Sequence, residues 1–383
     1  MKIPSEPVLY AIAQDFAHQA ELVAVDAYGA GNVNDTYLVT LVAPAAHIGS
    51  DRFVLQRVNT HVFRRPELIL KNMRTFLGHM EARLQRNGEV ANGQGLERWH
   101  MPRVIATQAG LDAHVDGQQS FWRAITLVEG AKTYAQIQDA AHAREAGYAL
   151  GRFHSLLSDL DPAQLHDTLP GFHITPQYLA HYDEILTGTT AHERQRGAQR
   201  SAVADAMRFI DERRVWATVL EDAVARCELI MRSIHGDPKV DNILIDNSSN
   251  RAVSIIDLDT VKPGLVHYDI GDCLRSCCNP AGEETMVLDD VTFDMKLCRA
   301  ILAGYLAQVV DFFTEADYAY IYDSIRLITF ELGLRFFSDY LAGDVYFKTR
   351  YPEHNLQRAL VQFRLAASIE AQEREIRQLV AEQ

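Results

Sequence analysis

The chain has 383 residues, of which 48% are apolar and 23% charged, an ordinary globular composition long enough for two lobes of unequal size. A formal net charge of −14 argues against nucleic acid or an anionic membrane as partner, although it leaves a nucleotide open, because local cations and a metal handle phosphates. No run of about eighteen apolar residues is present to span a bilayer, and Met1 to Glu6 opens without a secretory apolar stretch. The five cysteines (Cys227, Cys273, Cys277, Cys278, Cys298) are odd in number and lack metal-type pairing, so reduced thiols and a cytoplasmic location are expected.

In chain order, residues 7–20 place Leu9, Ile12, Phe16 and Ala20 on one helical face. Strands are predicted at 22–28 and 37–42, joined by Gly29-Ala-Gly-Asn-Val-Asn-Asp-Thr36. Glycine permits positive φ and close backbone approach, so such a hairpin tip can lie over phosphates, though glycines at hairpin tips are common. The next strand, 53–58, turns Val54, Gln56 and Val58 to one face and Phe53, Leu55 and Arg57 to the other. Pro66 starts a helix over 66–85. Strands follow at 104–107 and 121–128, the second ending in Glu129-Gly130. Beyond about residue 133 the pattern is helical: 138–157, 177–186, 202–229, 293–313, 316–340 and 356–380. Gly147 and Gly151, four apart, predict a close helix contact. His154 is expected to be structural, and Asp272 with Arg275, three apart, to brace a site from behind.

The informative stretch is Ile234-His-Gly-Asp-Pro-Lys-Val-Asp-Asn242, followed by apolar runs at 243–245 and 252–256 and then Asp257-Leu-Asp259. His-Gly-Asp by itself is a polar turn. The longer pattern is a hairpin whose open end joins two sets of polar groups. Phosphoryl transfer needs a carboxylate for the attacking hydroxyl, a cation near the phosphate and oxygen ligands for magnesium. Asp237 fits the base, Lys239 the cation, and Asn242 with Asp257 the metal ligands. Asp259 is either a further ligand or a local hydrogen-bonding group.

His235-Gly236-Asp237, Asn242 and Ile256-Asp257 resemble the aminoglycoside phosphotransferase-like branch of the protein-kinase-like fold. Asp257 to Gly264, Asp269 to Ser276 and Gly333 to Phe347 are similar to the subgroup containing N-acetylhexosamine 1-kinases. The likeness spans residues 20 to 370. It implies an α+β bilobal protein-kinase-like fold, with a small N-terminal antiparallel-sheet lobe (residues 1–128) and a larger mostly helical lobe (129–383). It further implies that Gly29, Gly31, Asn32, Asn34 and Thr36 cover the nucleotide phosphates. Gln56 or Arg57 stands in for the missing strand lysine: Arg57 has the charge, whereas Gln56 falls where related chains carry Lys or Arg. Backbone groups from Leu127 to Glu129 would recognise adenine, and His173, Arg335 and Tyr346 would lie near the acceptor.

The expectation is an ATP- and magnesium-dependent kinase for a sugar hydroxyl, the anomeric one of an N-acetylhexosamine. Two alternatives stay open: a phosphotransferase for an aminoglycoside or other amino alcohol, and a nucleotide-binding pseudokinase. No oligomeric state follows from the sequence.

Overall fold

Alternating apolar residues near the N-terminus form an antiparallel sheet, as the computed structural model, which describes residues 5–29, 33–88, 99–188 and 201–382, makes plain. Its elements are α1 (Glu6–Ala17), β1 (Leu22–Ala27), β2 (Asp35–Ala45), β3 (Ser50–Val58), α2 (Pro66–Arg86), β4 (Val104–Ile105), β5 (His114–Val115) and β6 (Phe121–Thr126). The strand order is β1-β2-β3-β6-β4, with β5 also on β6, and every pair is antiparallel. One face is closed by α1, whose Leu9, Ile12 and Phe16 pack with Phe53, Leu55 and Trp122. The opposite face turns to α2, where Val58, Met73 and Phe76 join the main core.

The chain then crosses through β7 (Ala131–Lys132), which pairs with a strand of the larger lobe, into α3 (Ala140–Leu157), α4 (Thr175–Gly188), α5 (Ser201–Arg213) and α6 (Val219–Ala225). Short strands β8 (Arg232–Ile234), β9 (Ile243–Asp246), β10 (Ala252–Ile255) and β11 (Lys262–Gly264) carry the site region. Helices α7 (Val266–Cys277), α8 (Met295–Val309), α9 (Glu315–Ala319), α10 (Ile321–Ala342), α11 (His354–Ala371) and α12 (Glu373–Ala381) complete the lobe. The small sheet lobe and larger helical lobe are the bilobal α+β architecture that the sequence implied. The helices expected over 316–340 and 356–380 are each broken, at Tyr320 and Gln372. A capping box at Thr314 sets off α9, and the Gln372 side chain reaches Phe293 O and Ser368 O instead of solvent.

Close packing of α3 on α8 is made by glycine. A Cβ at Gly147 would overlap the Ile301 carbonyl, and one at Gly304 would overlap that of Arg144. Gly147→Ala is expected to cost about 2–3 kcal/mol through overpacking, read as a lower denaturant midpoint at unchanged slope. All five cysteines are free, and all but Cys227 are buried. Among the described residues no helix is long and apolar enough to cross a membrane.

Candidate active site

Strands β8 and β11 pair through Ile234 and Lys262, which tethers the loop from His235 to Asn242 close to the segment after β10. The loop is fixed from beneath. His235 N and Gly236 N donate to the two oxygens of Asp269 at 2.6 and 2.8 Å. Asp269 in turn meets His154 Nε2 at 2.8 Å, and His154 Nδ1 meets the Tyr305 hydroxyl at 2.9 Å, so His154 is the structural residue expected. Gly236 has φ +89°, and a Cβ there would come within 2.8 Å of Thr260 O, so glycine is required. Burial lowers the pKa of His235 and keeps its ring neutral. Since Asp237 N donates to Nδ1 at 3.2 Å, the proton sits on Nε2 and is donated to Ile256 O at 2.9 Å.

On this floor Asp237 is half-buried, with Lys239 Nζ 3.4 Å from Oδ2. Asn242 Nδ2 donates to Asp237 O at 2.7 Å, which leaves its Oδ1 as the available ligand atom. Ile256 N donates to Asn242 O at 2.8 Å and draws the end of β10 alongside. Asp257 follows in the left-handed region (φ 63°, ψ 56°), a conformation that Asp tolerates better than most residues, with its side chain open to solvent on one side. The structure thus brings together Asp237, Lys239, Asn242 and Asp257. Burial raises the Asp237 carboxyl to about 7, with Asp272, Asp257 and Asp241 adding to it against the pull of Lys239. Asp257 is exposed on its outer side, but desolvation by the protein around its inner side, with Asp259 beside it, raises it to about 6. Asp237, helped by Asp241, pushes Lys239 upward, so it stays charged.

Crowded carboxylates of this kind are relieved by a cation. Among the described residues no three His, Cys, Asp or Glu side chains form a self-sufficient metal site. One amide oxygen and one carboxylate fit magnesium, which takes its other ligands from water and phosphate.

Above the site, Gly29 has φ +76° with open space around it, and Tyr28 N bonds Thr36 O at 2.9 Å to close the hairpin. Gly31 and Asn32 lie outside the described residues. Asn34 Nδ2 reaches across to Asp259 Oδ2 at 2.7 Å, while its Oδ1 accepts from Asn59 N. The two candidates on β3 separate cleanly. Arg57 is on the α1 face, 4% exposed, paired with Asp35 and 5.6 Å over the Trp122 ring. A role for Arg57 at the phosphates does not agree with this placement, because strand alternation turns it away from the side on which Asp259 lies. Gln56 is on that side, donating to Thr36 Oγ1 at 3.2 Å. Leu127 and Glu129 sit in the connection from β6 to β7, and the Glu129 carboxylate accepts from Ser50 Oγ and pairs with Arg52 at 3.5 Å.

His173 is buried rather than open to a ligand. Its Nε2 meets Gly236 O at 2.9 Å and its Nδ1 meets Glu331 Oε1 at 3.0 Å, so it supports the loop. Burial opposes its protonation, but hydrogen bonding and charge from Glu331, with Asp272, raise its pKa overall. Arg335, one turn along α10 from Glu331, lines a cavity of about 360 Å³ with Phe172, Tyr178, Tyr346 and Phe347. Its guanidinium lies 5.1, 5.1 and 5.5 Å from the rings of Phe172, Tyr178 and Phe347. Tyr346 is at the rim, 58% exposed. Asp339 also lines the cavity but is spent on structure, accepting from the backbone N–H groups of Val345, Tyr346 and Phe347. The brace of Asp272 and Arg275 is present at 2.7 Å and buried.

Sequence reasoning missed Arg123, which forms a buried ion pair with Asp259 and donates twice to Gln56. The register that sets Arg123 opposite Gln56 belongs to the folded sheet, and no local feature of the sequence marks it. The aromatic residues Phe172, Tyr178 and Phe347 carried no signal separate from core packing.

Residues 25–302 match the model of the phosphotransferase enzyme family. An aminoglycoside phosphotransferase from Alicyclobacillus acidocaldarius subsp. acidocaldarius DSM 446 has a similar structure, at 16% identity and TM-score 0.58, over 100% of this chain and 98% of that one. A choline kinase from Cryptosporidium parvum Iowa II is similar at 12% identity and TM-score 0.57, over 97% and 98% of the two chains. So is a spectinomycin phosphotransferase solved with ADP and spectinomycin, at 12% identity and TM-score 0.54, over 97% and 99%. At these identities the structural likeness is one of fold.

Proposed function

The chain belongs to the phosphotransferase enzyme family, and we propose that it is an ATP- and magnesium-dependent kinase of a small neutral acceptor, the anomeric hydroxyl of an N-acetylhexosamine. Asp237 orients the acceptor hydroxyl and takes its proton as the new oxygen–phosphorus bond forms and the bond to the departing diphosphate breaks. A base with a pKa near 7 is suited to that transfer at neutral pH. Lys239 stays protonated beside the transferring group. Asn242 and Asp257 would hold magnesium, which supplies charge neutralisation across the nucleotide phosphates. The hairpin from Gly29 to Thr36 covers the phosphates, and the connection at Leu127 to Glu129 offers backbone groups to the base. We place the division into lobes near residue 128, at that connection.

The observation that carries the choice of acceptor is the cavity around Arg335. Among the described residues no carboxylate pairs with this guanidinium, and the one carboxylate lining the cavity is already spent on backbone N–H groups. A cationic acceptor such as choline or an aminoglycoside would meet a guanidinium that no carboxylate pairs, with Glu331 and Asp272 acting on it only from farther off. A sugar would stack its apolar face on Tyr346 or Phe347, and its hydroxyl and amide oxygens would accept from Arg335. His173 and Glu331, which do not themselves line the cavity, link the helix of Arg335 to the loop of Asp237 through Gly236 O, which supports an acceptor site near that loop.

The test is diphosphate release from ATP and magnesium with free hexoses, N-acetylhexosamines, choline and aminoglycosides, with the phosphate located by NMR. Turnover confined to an N-acetylhexosamine and giving the 1-phosphate is the expected result. Turnover only on cationic acceptors would keep the chemistry and discard the sugar, and nucleotide binding without any turnover would favour a pseudokinase. Arg335→Ala is expected to raise the acceptor KM about 10- to 100-fold, the worth of a hydrogen bond to a charged group, with the ATP KM within about twofold.

A further inference from the structure

Thr36, Gln56 and Arg123 are directly opposed across β2, β3 and β6, so the three stand in one row on a single face of the sheet. A guanidinium only donates. The Gln56 atom that takes hydrogen bonds from Arg123 Nε and Nη2, at 3.0 and 2.7 Å, is therefore its oxygen, and the amide nitrogen is turned toward Thr36 and the Gly-rich hairpin. Protein kinases hold phosphates at this place with a strand lysine paired to a helix glutamate. Both partners are different here. The strand carries Gln56, and α2 presents Met73 to Arg123, with Sδ 3.4 Å from Nη1. The acid arrives from the larger lobe instead: Asp259, two residues past Asp257, pairs with Arg123, both side chains being about 97–98% buried. Its second oxygen accepts from Asn34 of the hairpin.

We propose that the work of the strand lysine is divided between two residues. Gln56 Nε2 is the donor that touches the nucleotide phosphates, and Arg123 is a positioning residue behind it. Arg123 fixes which way the amide points, polarises it, and through Asp259 ties the sheet to the segment carrying Asp257. The clamp also joins the two lobes, since β6 and the Gly-rich hairpin both close on one carboxylate. A neutral amide in front of a paired guanidinium brings no net charge to the phosphates, much as a lysine paired to a glutamate does not. The inference rests on the nucleotide-dependent reading.

The experiment is calorimetric titration of wild type, Gln56→Leu, Arg123→Met and the double variant Gln56→Lys/Arg123→Met with ADP and with adenosine. Gln56→Leu and Arg123→Met are each expected to lose about tenfold in affinity for ADP while adenosine stays within about twofold, the loss of one charge-assisted hydrogen bond. The double variant should regain most of the lost ADP affinity, because an ammonium on β3 needs no guanidinium behind it. Equal weakening of ADP and adenosine would assign the row a structural role and overturn the proposal, as would an unchanged ADP affinity. Should Arg123→Met not fold, the ratio of ADP to adenosine affinity in Gln56→Leu decides alone. Wild type that binds neither ligand would bring down the nucleotide-dependent reading and the inference with it. Wild type that binds ADP, with variants unchanged in that ratio, would bring down the inference alone.

Discussion

Asp237→Asn is expected to fold and to turn over about 10³-fold more slowly than wild type at saturating ATP and acceptor. The amide preserves the side chain's shape beside Lys239 but accepts no proton from the attacking hydroxyl. Nucleotide affinity should change little, so the loss belongs in kcat, and the wild-type rate should rise with pH as Asp237 ionises, at a pH below its metal-free value of about 7 because magnesium favours the carboxylate. The same substitution is expected to stabilise the ligand-free protein. An aspartate whose folded pKa is raised is no burden below its unfolded pKa of about 4. Its cost accumulates as pH rises from about 4 to the folded value near 7, because the unfolded chain gives up the proton first. Melting temperatures of Asp237→Asn and wild type should therefore converge toward pH 4 and separate at pH 8, with the variant higher. A variant that turns over at near-normal rate would remove Asp237 as the base.

Asp257→Ala is expected to lower turnover by at least about 10²- to 10³-fold, comparable with removal of a preorganised electrostatic group. Two effects combine. The carboxylate that would hold magnesium is gone, and alanine is placed in a left-handed conformation at a cost of about 1–2 kcal/mol. Asp257→Asn separates them, since asparagine tolerates that conformation and retains one oxygen ligand. The asparagine variant should need more magnesium for half-maximal rate than wild type, and the alanine variant should not be rescued at any practical concentration. A folded Asp257→Ala protein with an unaltered magnesium dependence would refute the assignment.

The chemistry-bearing stretch was legible because its residues are close in sequence. A loop from His235 to Asn242 and a hairpin that delivers Asp257 fifteen residues after Asn242 must meet, since Ile243 to Asp246 and Ala252 to Ile255 have few ways to pair. Gly147 and Gly151 were legible for the same local reason, since they share a helix face, whereas the positive φ of Gly236 emerged from the structure. The N-terminal strand alternation was enough to put Gln56 and Arg57 on opposite faces but not to say which face meets the site. That depended on which side α1 covers, and Trp122 with Phe53 and Leu55 decided it.

Length and local spacing pointed to two unequal lobes, to the grouping of Asp237, Asn242 and Asp257 and to a structural His154, and the resemblance carried by those motifs implied the bilobal α+β fold. Only the tertiary structure decided that His173 supports the loop from a buried position, that Arg335 sits in an aromatic cavity, and that Arg123 holds Gln56. The contacts of His173 with Gly236 and Glu331, and of Arg123 with Gln56 and Asp259, join residues 63 to 158 positions apart, and a single charged or aromatic side chain carries no local mark of the partner that folding will bring to it.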